Sequence, residues 1–329
     1  MRAIIVNQFG PPEQLRIADV PPPAAGPGEV VVSVKAAPVN YVDLLVTGGG
    51  YQFLPQRPFI PGKGPAGVVS AVGREVTSLQ IGDRLLAMAE QGGYAEAVAV
   101  EADQCYRLPS AMSFDEAASL SLAFDTAWFA LRERARLEPG ETVLVLGASG
   151  AVGHAAVQLA RAMGARVLAG IARTEKASEV LATGADAVID LSRPDLRDSL
   201  RQQVFAVTEG RGIDIVLDPL GGEVFEAALR ALAWRGRLVV IGFAAGAIPT
   251  MRVNYLLLKN IEVSGLQISD YRKRRPAQLA AAFAEIFGFY EQGKIKPAAV
   301  TAFPLERAGE ALAALRDRRL AGRAVLHMS

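Results

Sequence analysis

The chain has 329 residues, 51% hydrophobic and 21% charged, and its 35 basic and 34 acidic side chains leave a net charge of +1. That length accommodates two domains with separate cores, and a near-neutral surface offers no general attraction for nucleic acid or anionic membrane. One cysteine, Cys105, and two histidines exclude an intrachain disulfide and a cysteine- or histidine-rich metal site.

The opening "MRAIIVNQFG" is an apolar run broken early by Pro11 and Pro12, unlike a signal peptide, and nothing approaches the ~20 apolar residues of a membrane helix. A cytoplasmic protein is expected. Up to about residue 120, short alternating runs such as "EVVVSVKAA", "GPAGVVSAVG", "DRLLAMA" and "YAEAVAV" lie between Pro and Gly turns. They predict a β-rich, barrel-like domain. Ser113 and Glu116 are spaced as a capping box, with a helix running on through "AASLSLAFDTAWFAL". Strands are then predicted at 142–147, 166–171, 187–190, 213–218 and 237–242, with helices at 151–163, 174–182, 195–206 and 222–232. That alternation predicts an α/β class with a doubly wound parallel sheet. A strand at 260–268, helices over 276–292 and 305–317, and a last strand in "RAVLHM" complete the chain.

Residues 147–153 read GASGAVG, between the apolar run Val143–Leu146 and a stretch of 3.6-residue period (Val152, Ala155, Ala156, Leu159, Ala160, Met163). A glycine turn between strand and helix lets backbone N–H groups approach a pyrophosphate, with the helix N-terminus favouring its charge. Gly147, Ser149, Gly150, Ala151, Val152 and Gly153 are therefore expected to line a dinucleotide, although Ala148 stands where GxGxxG has its first glycine. The alternative is a tight turn needed only for packing. At the tip of the second strand, "LAGIARTEK" has Ala172 and Arg173, then Lys176, where an NAD site carries an acid. Two cations and no carboxylate at the tip suit a 2′-phosphate, so NADPH is expected. The alternative for Arg173 and Lys176 is solvated surface charge.

With "AAPVNYVDLLVTGGGY", "PGKGPAGVVSAVG", "GDRLLAM", "GGYAEAVAV", "LEPGETVLVLGASGAVG", "GADAVID" and "DPLGG" in this order, the chain resembles the medium-chain dehydrogenase/reductase superfamily along essentially its whole length. Within it, "GGEVFEAALRALAWRGRLVVIGFAAG" and "LLLKNIEVSGL" look closest to the zinc-free, zeta-crystallin-like quinone oxidoreductases. The resemblance implies a GroES-like catalytic domain from 1–121 and 263–329, a Rossmann domain from 122–262, a cleft between them, and a homodimer paired through strand 261–267. Where zinc-dependent relatives carry a cysteine and a His-Glu pair, this chain has Asn40, and Lys63 with Gly64. No metal is expected.

The resemblance further implies hydride transfer to quinones or α,β-unsaturated carbonyls, the protein supplying position and donors to a developing oxyanion. Asn40, Asp43 and Tyr51 fall on its cleft-lining motif. Asn40 is expected to donate to a cofactor or substrate oxygen, Asp43 to orient its neighbours, and Tyr51 either to serve the flat substrate or to pack half-buried. Lys63 is either a buried cation near the substrate or a surface side chain. Thr126, Gly242, Phe243 and Leu266 match positions around the nicotinamide, whereas Leu191 stands where many relatives have a tyrosine for the 2′-phosphate. Two alternatives remain. A 2-enoyl-thioester reductase would use "YRKRRP" at 271–276 as a basic rim, unless that run is a solvated face; a dinucleotide-dependent RNA-binding or redox-sensing protein would need more cations than this chain carries.

Overall fold

The computed structural model describes residues 1–328; Ser329, the last residue of the expected catalytic domain, lies outside them. The chain opens with strands β1 (Arg2–Ile5), β2 (Arg16–Asp19) and β3 (Glu29–Pro38), then helix α1 (Tyr41–Thr47). Strands β4 (Ala66–Val72), β5 (Arg84–Ala87), β6 (Ala97–Glu101) and β7 (Cys105–Arg107) follow. The run from Ser113 caps as its spacing predicts: Ser113 Oγ accepts from the Glu116 N–H at 3.1 Å, and the Glu116 carboxylate accepts from the Ser113 N–H at 2.9 Å.

The helix expected through "AASLSLAFDTAWFAL" is broken, however. It forms α2 (Phe114–Leu120), stops at Ser121, turns through Leu122 in the left-handed region (φ 61°), and resumes as α3 (Ala123–Trp128) with a π-type continuation over Phe129–Arg134. The break frees the Ser121 carbonyl, which lies 3.5 Å from the Arg323 guanidinium.

Next come β8 (Thr142–Leu146), α4 (Ala151–Ala162), β9 (Arg166–Ile171), α5 (Ala177–Ala182), β10 (Ala187–Asp190), α6 (Leu196–Val207), β11 (Ile213–Asp218), α7 (Gly222–Ala231) and β12 (Leu232–Val240). Then α8 (Asn254–Lys259), β13 (Glu262–Gly265), α9 (Ile268–Arg274) and α10 (Pro276–Glu291) lead to β14 (Val300–Pro304), α11 (Ala308–Arg316) and β15 (Arg323–His327). The strand expected at 142–147 ends one residue early, at Leu146, and two others differ further from their expected bounds. The one placed at 237–242 begins at Leu232 and stops at Val240, the partner of Asp218, with which β11 ends. The one placed at 260–268 is confined to Glu262–Gly265, since Ile268 already starts α9.

The described chain divides into two compact units. One comprises Met1–Leu122, Ser269–Phe287 and the stretch from Pro297 onward; the other comprises Ala123–Ile268 and Gly288–Lys296. In the first, β3 is the hub: Val30–Ser33 pair antiparallel with both β4 and β6, and Ala36–Pro38 with β15. Val30, Val32, Val34 and Ala37 of β3 pack with Leu85, Val98, Leu312 and Leu326 in its core. Cys105, the first residue of β7, lies in this unit, and burial pushes its thiol up to about 12. In the second unit six parallel strands run in the order β10-β9-β8-β11-β12-β13. This is the 3-2-1-4-5-6 order of a doubly wound nucleotide-binding sheet, with its reversal between β8 and β11.

Candidate active site

In the parallel-sheet unit, β8 is buried along its full length and delivers the chain to Gly147 at the point where strand order reverses. Gly147 is left-handed (φ 63°), and Gly150 is the N-cap of α4. The three glycines are not equivalent. A Cβ on Gly153 would run into the Gly147 carbonyl and sit 2.6 Å from Ala148 Cα, whereas one on Gly150 would meet nothing nearer than 3.3 Å. Gly153 thus sets how closely α4 approaches the turn, and the cradle fits a dinucleotide pyrophosphate. Ser149, Ala151 and Val152 are half-buried around it.

Across the reversal, Asp218 ends β11 fully buried. Its Oδ1 accepts from the N–H groups of Leu220 (2.8 Å) and Gly221 (2.9 Å), and its own carbonyl accepts from Ile241 and Gly242. One residue therefore holds both loops at this end of the sheet, the first through its carboxylate and the second through its backbone carbonyl. Burial raises its pKa against those two N–H groups, and Oδ2 has no hydrogen-bond partner among the described residues. Gly242 is half-buried on one of these loops with Phe243 exposed beside it, and the Leu266 N–H bonds Val240 at 2.9 Å. Thr126 is buried on α3, its N–H on the Asp125 carboxylate. At the end of β9, the exposed Arg173 guanidinium has no partner among the described residues, and Lys176 lies 3.5 Å from Glu179. Leu191 is buried in the core.

The other unit carries a buried polar cluster where β3 hands over to α1. Asn40 is the N-cap of that helix, and its N–H is accepted by the Asp43 carboxylate at 2.9 Å. Asp43 also accepts from the Tyr94 hydroxyl at 3.0 Å. Burial raises Asp43 to about 6, the Asn40 N–H, the Lys63 charge and the Tyr94 hydroxyl limiting the rise. Arg323 Nη2 donates to Asn40 Oδ1 at 2.7 Å, and burial pulls the guanidinium down to about 10 against the opposing charge of Asp43. With its carbonyl taken, the Asn40 amide keeps a buried Nδ2 with no hydrogen-bond partner among the described residues, an unused donor. Tyr51 packs half-buried against Val6, Val46 and Phe59, with Phe53 edge-on at 6.2 Å.

Lys63 is buried and ion-paired with Glu90, whose other oxygen binds Arg272 at 2.8 Å. Burial would raise Glu90, but Arg272 and Lys63 overcome it and hold the carboxyl at about 2. Arg272 thereby corrects one expectation: the run at 271–276 is not wholly a solvated face, because its second residue is 2% exposed on α9. Tyr94, Glu90, Arg323 and Asp218 were not singled out from sequence. The available signal was a charge closing the apolar run in "IVLD" and opening the one in "RAVL". Among the described residues, no group of three or more His, Cys, Asp or Glu gathers to hold a metal, and no helix is long and apolar enough to cross a membrane.

These features define a two-domain dinucleotide-dependent dehydrogenase. Residues 26–110 match the alcohol dehydrogenase GroES-like domain, and residues 151–285 the domain described as zinc-binding dehydrogenase. The chain is 36% identical over 330 residues to a quinone oxidoreductase-like protein 2 homolog of Nematostella vectensis, covering 99% of this chain and 88% of that protein. Two solved quinone oxidoreductases superpose along nearly their whole length. That of Pseudomonas syringae pv. tomato DC3000 gives a TM-score of 0.91 at 31% identity, covering 99% of both chains. That of Escherichia coli, complexed with NADPH, gives 0.89 at 29%, covering 99% of this chain and all of the other. The chain belongs to the quinone oxidoreductase family of the medium-chain dehydrogenase/reductase superfamily.

Proposed function

We propose that the protein is an NADPH-dependent oxidoreductase that reduces quinones or α,β-unsaturated carbonyls without a metal. The observation that carries this reading is the glycine cradle at the strand reversal, where Gly153 has no room for a side chain. It is supported by the quinone oxidoreductase relatives, one of them solved with NADPH. When bound, NADPH supplies the hydride. Gly147, Ser149, Gly150, Ala151, Val152 and Gly153 hold its pyrophosphate, Arg173 and Lys176 its 2′-phosphate, and Thr126, Gly242, Phe243 and Leu266 its nicotinamide end. Asn40 donates its free amide hydrogens to a cofactor or substrate oxygen, and Asp43 fixes the backbone that carries it. Tyr51 flanks the substrate through its ring.

The zinc named in one matched domain's description does not carry over, since Asn40, Lys63 and Gly64 occupy the positions where zinc-dependent relatives have ligands. The domain roles follow the same reading, with 1–121 and 263–329 catalytic and 122–262 nucleotide-binding. A homodimer is supported by β13, which ends the parallel sheet with one edge unpaired, and by exposed Ile248, Val253, Leu257 and Leu258 in the same unit. The lone cysteine fits work in the cytoplasm. Steady-state oxidation of NADPH with naphthoquinones, enones and crotonyl thioesters tests the reading, with turnover of the first two surviving chelator treatment. Turnover of the thioester alone, or activity lost to chelator and restored by zinc, overturns it.

A further inference from the structure

Lys63 sits between two glycines that leave its backbone no freedom. Gly62 (φ 95°) and Gly64 (φ 65°) are both left-handed; a Cβ on the first would collide with the Tyr94 ring and one on the second with Ser121 Oγ. A surface lysine needs no such clamp. The side chain it presents is buried, and its ammonium makes one hydrogen bond among the described residues, to Glu90 Oε2. An ammonium has three donors, so two remain unused in a place water barely reaches. Glu90 is held on the other side by Arg272 at 2.8 Å and the Ser269 hydroxyl at 3.0 Å. The Lys63 charge lies near enough to Asp43 to lower its carboxyl, which places the ammonium beside the polar cluster at the start of α1.

Buried donors left unused are costly unless something answers them. A substrate oxygen that gains negative charge during the reaction does so, and donors fixed beforehand stabilise it without reorganisation. We infer that Lys63 is a catalytic residue whose ammonium, aimed by Glu90, donates to the substrate oxygen on which negative charge gathers. This rests on the reading that the protein reduces quinones or enones. As hydride arrives at carbon, the displaced electron pair moves onto that oxygen, where the ammonium holds it. Arg272 and Ser269 are positioning residues that keep Glu90 facing Lys63.

The test uses 4-nitrophenol, whose ionised form is yellow and mimics a hydroquinone anion, added to the full-length protein without NADPH. The unsubstituted protein is expected to bind the probe ionised at a pH where free probe is mostly neutral. Lys63→Met, which leaves the Glu90–Arg272 pair intact, is expected to lose that band, and Lys63→Arg to keep it. Thermal midpoints establish that both variants are folded, and should Lys63→Met not fold, Lys63→Gln replaces it. With NADPH and a quinone or enone, Lys63→Met is expected to lose about 100-fold in kcat, the scale of removing one oxyanion donor. No ionised probe on the unsubstituted protein, or an undiminished band in folded Lys63→Met, overturns the inference. A protein that ionises the probe through Lys63 yet reduces no quinone or enone overturns the functional reading and leaves the anion site standing. Turnover undiminished in folded Lys63→Met does the reverse.

Discussion

Asp43 accepts two good hydrogen bonds, from the Asn40 N–H and the Tyr94 hydroxyl, yet burial holds its pKa at about 6 against a usual 3.8. The raised value means that the folded chain takes up a proton between those two limits. Stability therefore falls as pH climbs through that window, and the full cost is present above it. Asp43→Asn, which cannot ionise, is expected to gain on the unsubstituted protein by up to about 3 kcal/mol between pH 4 and pH 7, measured by urea unfolding. A difference independent of pH would mean that Asp43 is not desolvated as described. Arg173→Glu is expected to reverse the preference between NADPH and NADH, read as kcat/KM for each; an unmoved ratio removes Arg173 from the proposed 2′-phosphate site. Asn40 and Asp43 were legible in the sequence because their link spans three residues in a recognisable motif. Tyr94 and Arg323, which complete the same cluster, lie 51 positions from Asp43 and 283 from Asn40 in the chain. No local pattern brings such residues together; only the pairing of β3 with its neighbours does.

The glycine turn and the elements around it were the most readable part of the chain. Apolar strands and helices of 3.6-residue period announce themselves, and the strand bounds 166–171, 187–190 and 213–218 are those of the structure. Strand ends decided by distant partners were not readable. β12 stops where its partner β11 ends, at the Asp218–Val240 pair, and the helix break at Ser121–Leu122 answers to Gly64 and Arg323. Helix α1, short and set among strands, carries too weak a period to stand out. The unequal space at the three glycines gives a prediction at this level. Gly153→Ala is expected to cost about 1–3 kcal/mol by forcing α4 off the turn, and to weaken NADPH binding at least tenfold by fluorescence titration. Gly150→Ala meets nothing closer than 3.3 Å and should fall well short of both effects. Equal losses at the two positions would remove the packing argument.

The parallel-sheet unit leaves apolar side chains in water that a monomer has no reason to expose, among them Leu257 at 79% and Leu258 at 69%. Leu257→Glu with Leu258→Glu is expected to convert a dimer to a monomer by light scattering, and a chain monomeric before substitution refutes the proposed assembly. The fold also bears on the hazards of the proposed chemistry. Quinones and enones alkylate thiolates, so an enzyme that handles them risks modifying itself with every encounter. Here the sole thiol, Cys105, is held so far from ionisation that at neutral pH only about one molecule in 10⁵ carries the reactive form. The electrophile thus meets no ready thiolate on the native protein, the side chain that such compounds otherwise modify fastest.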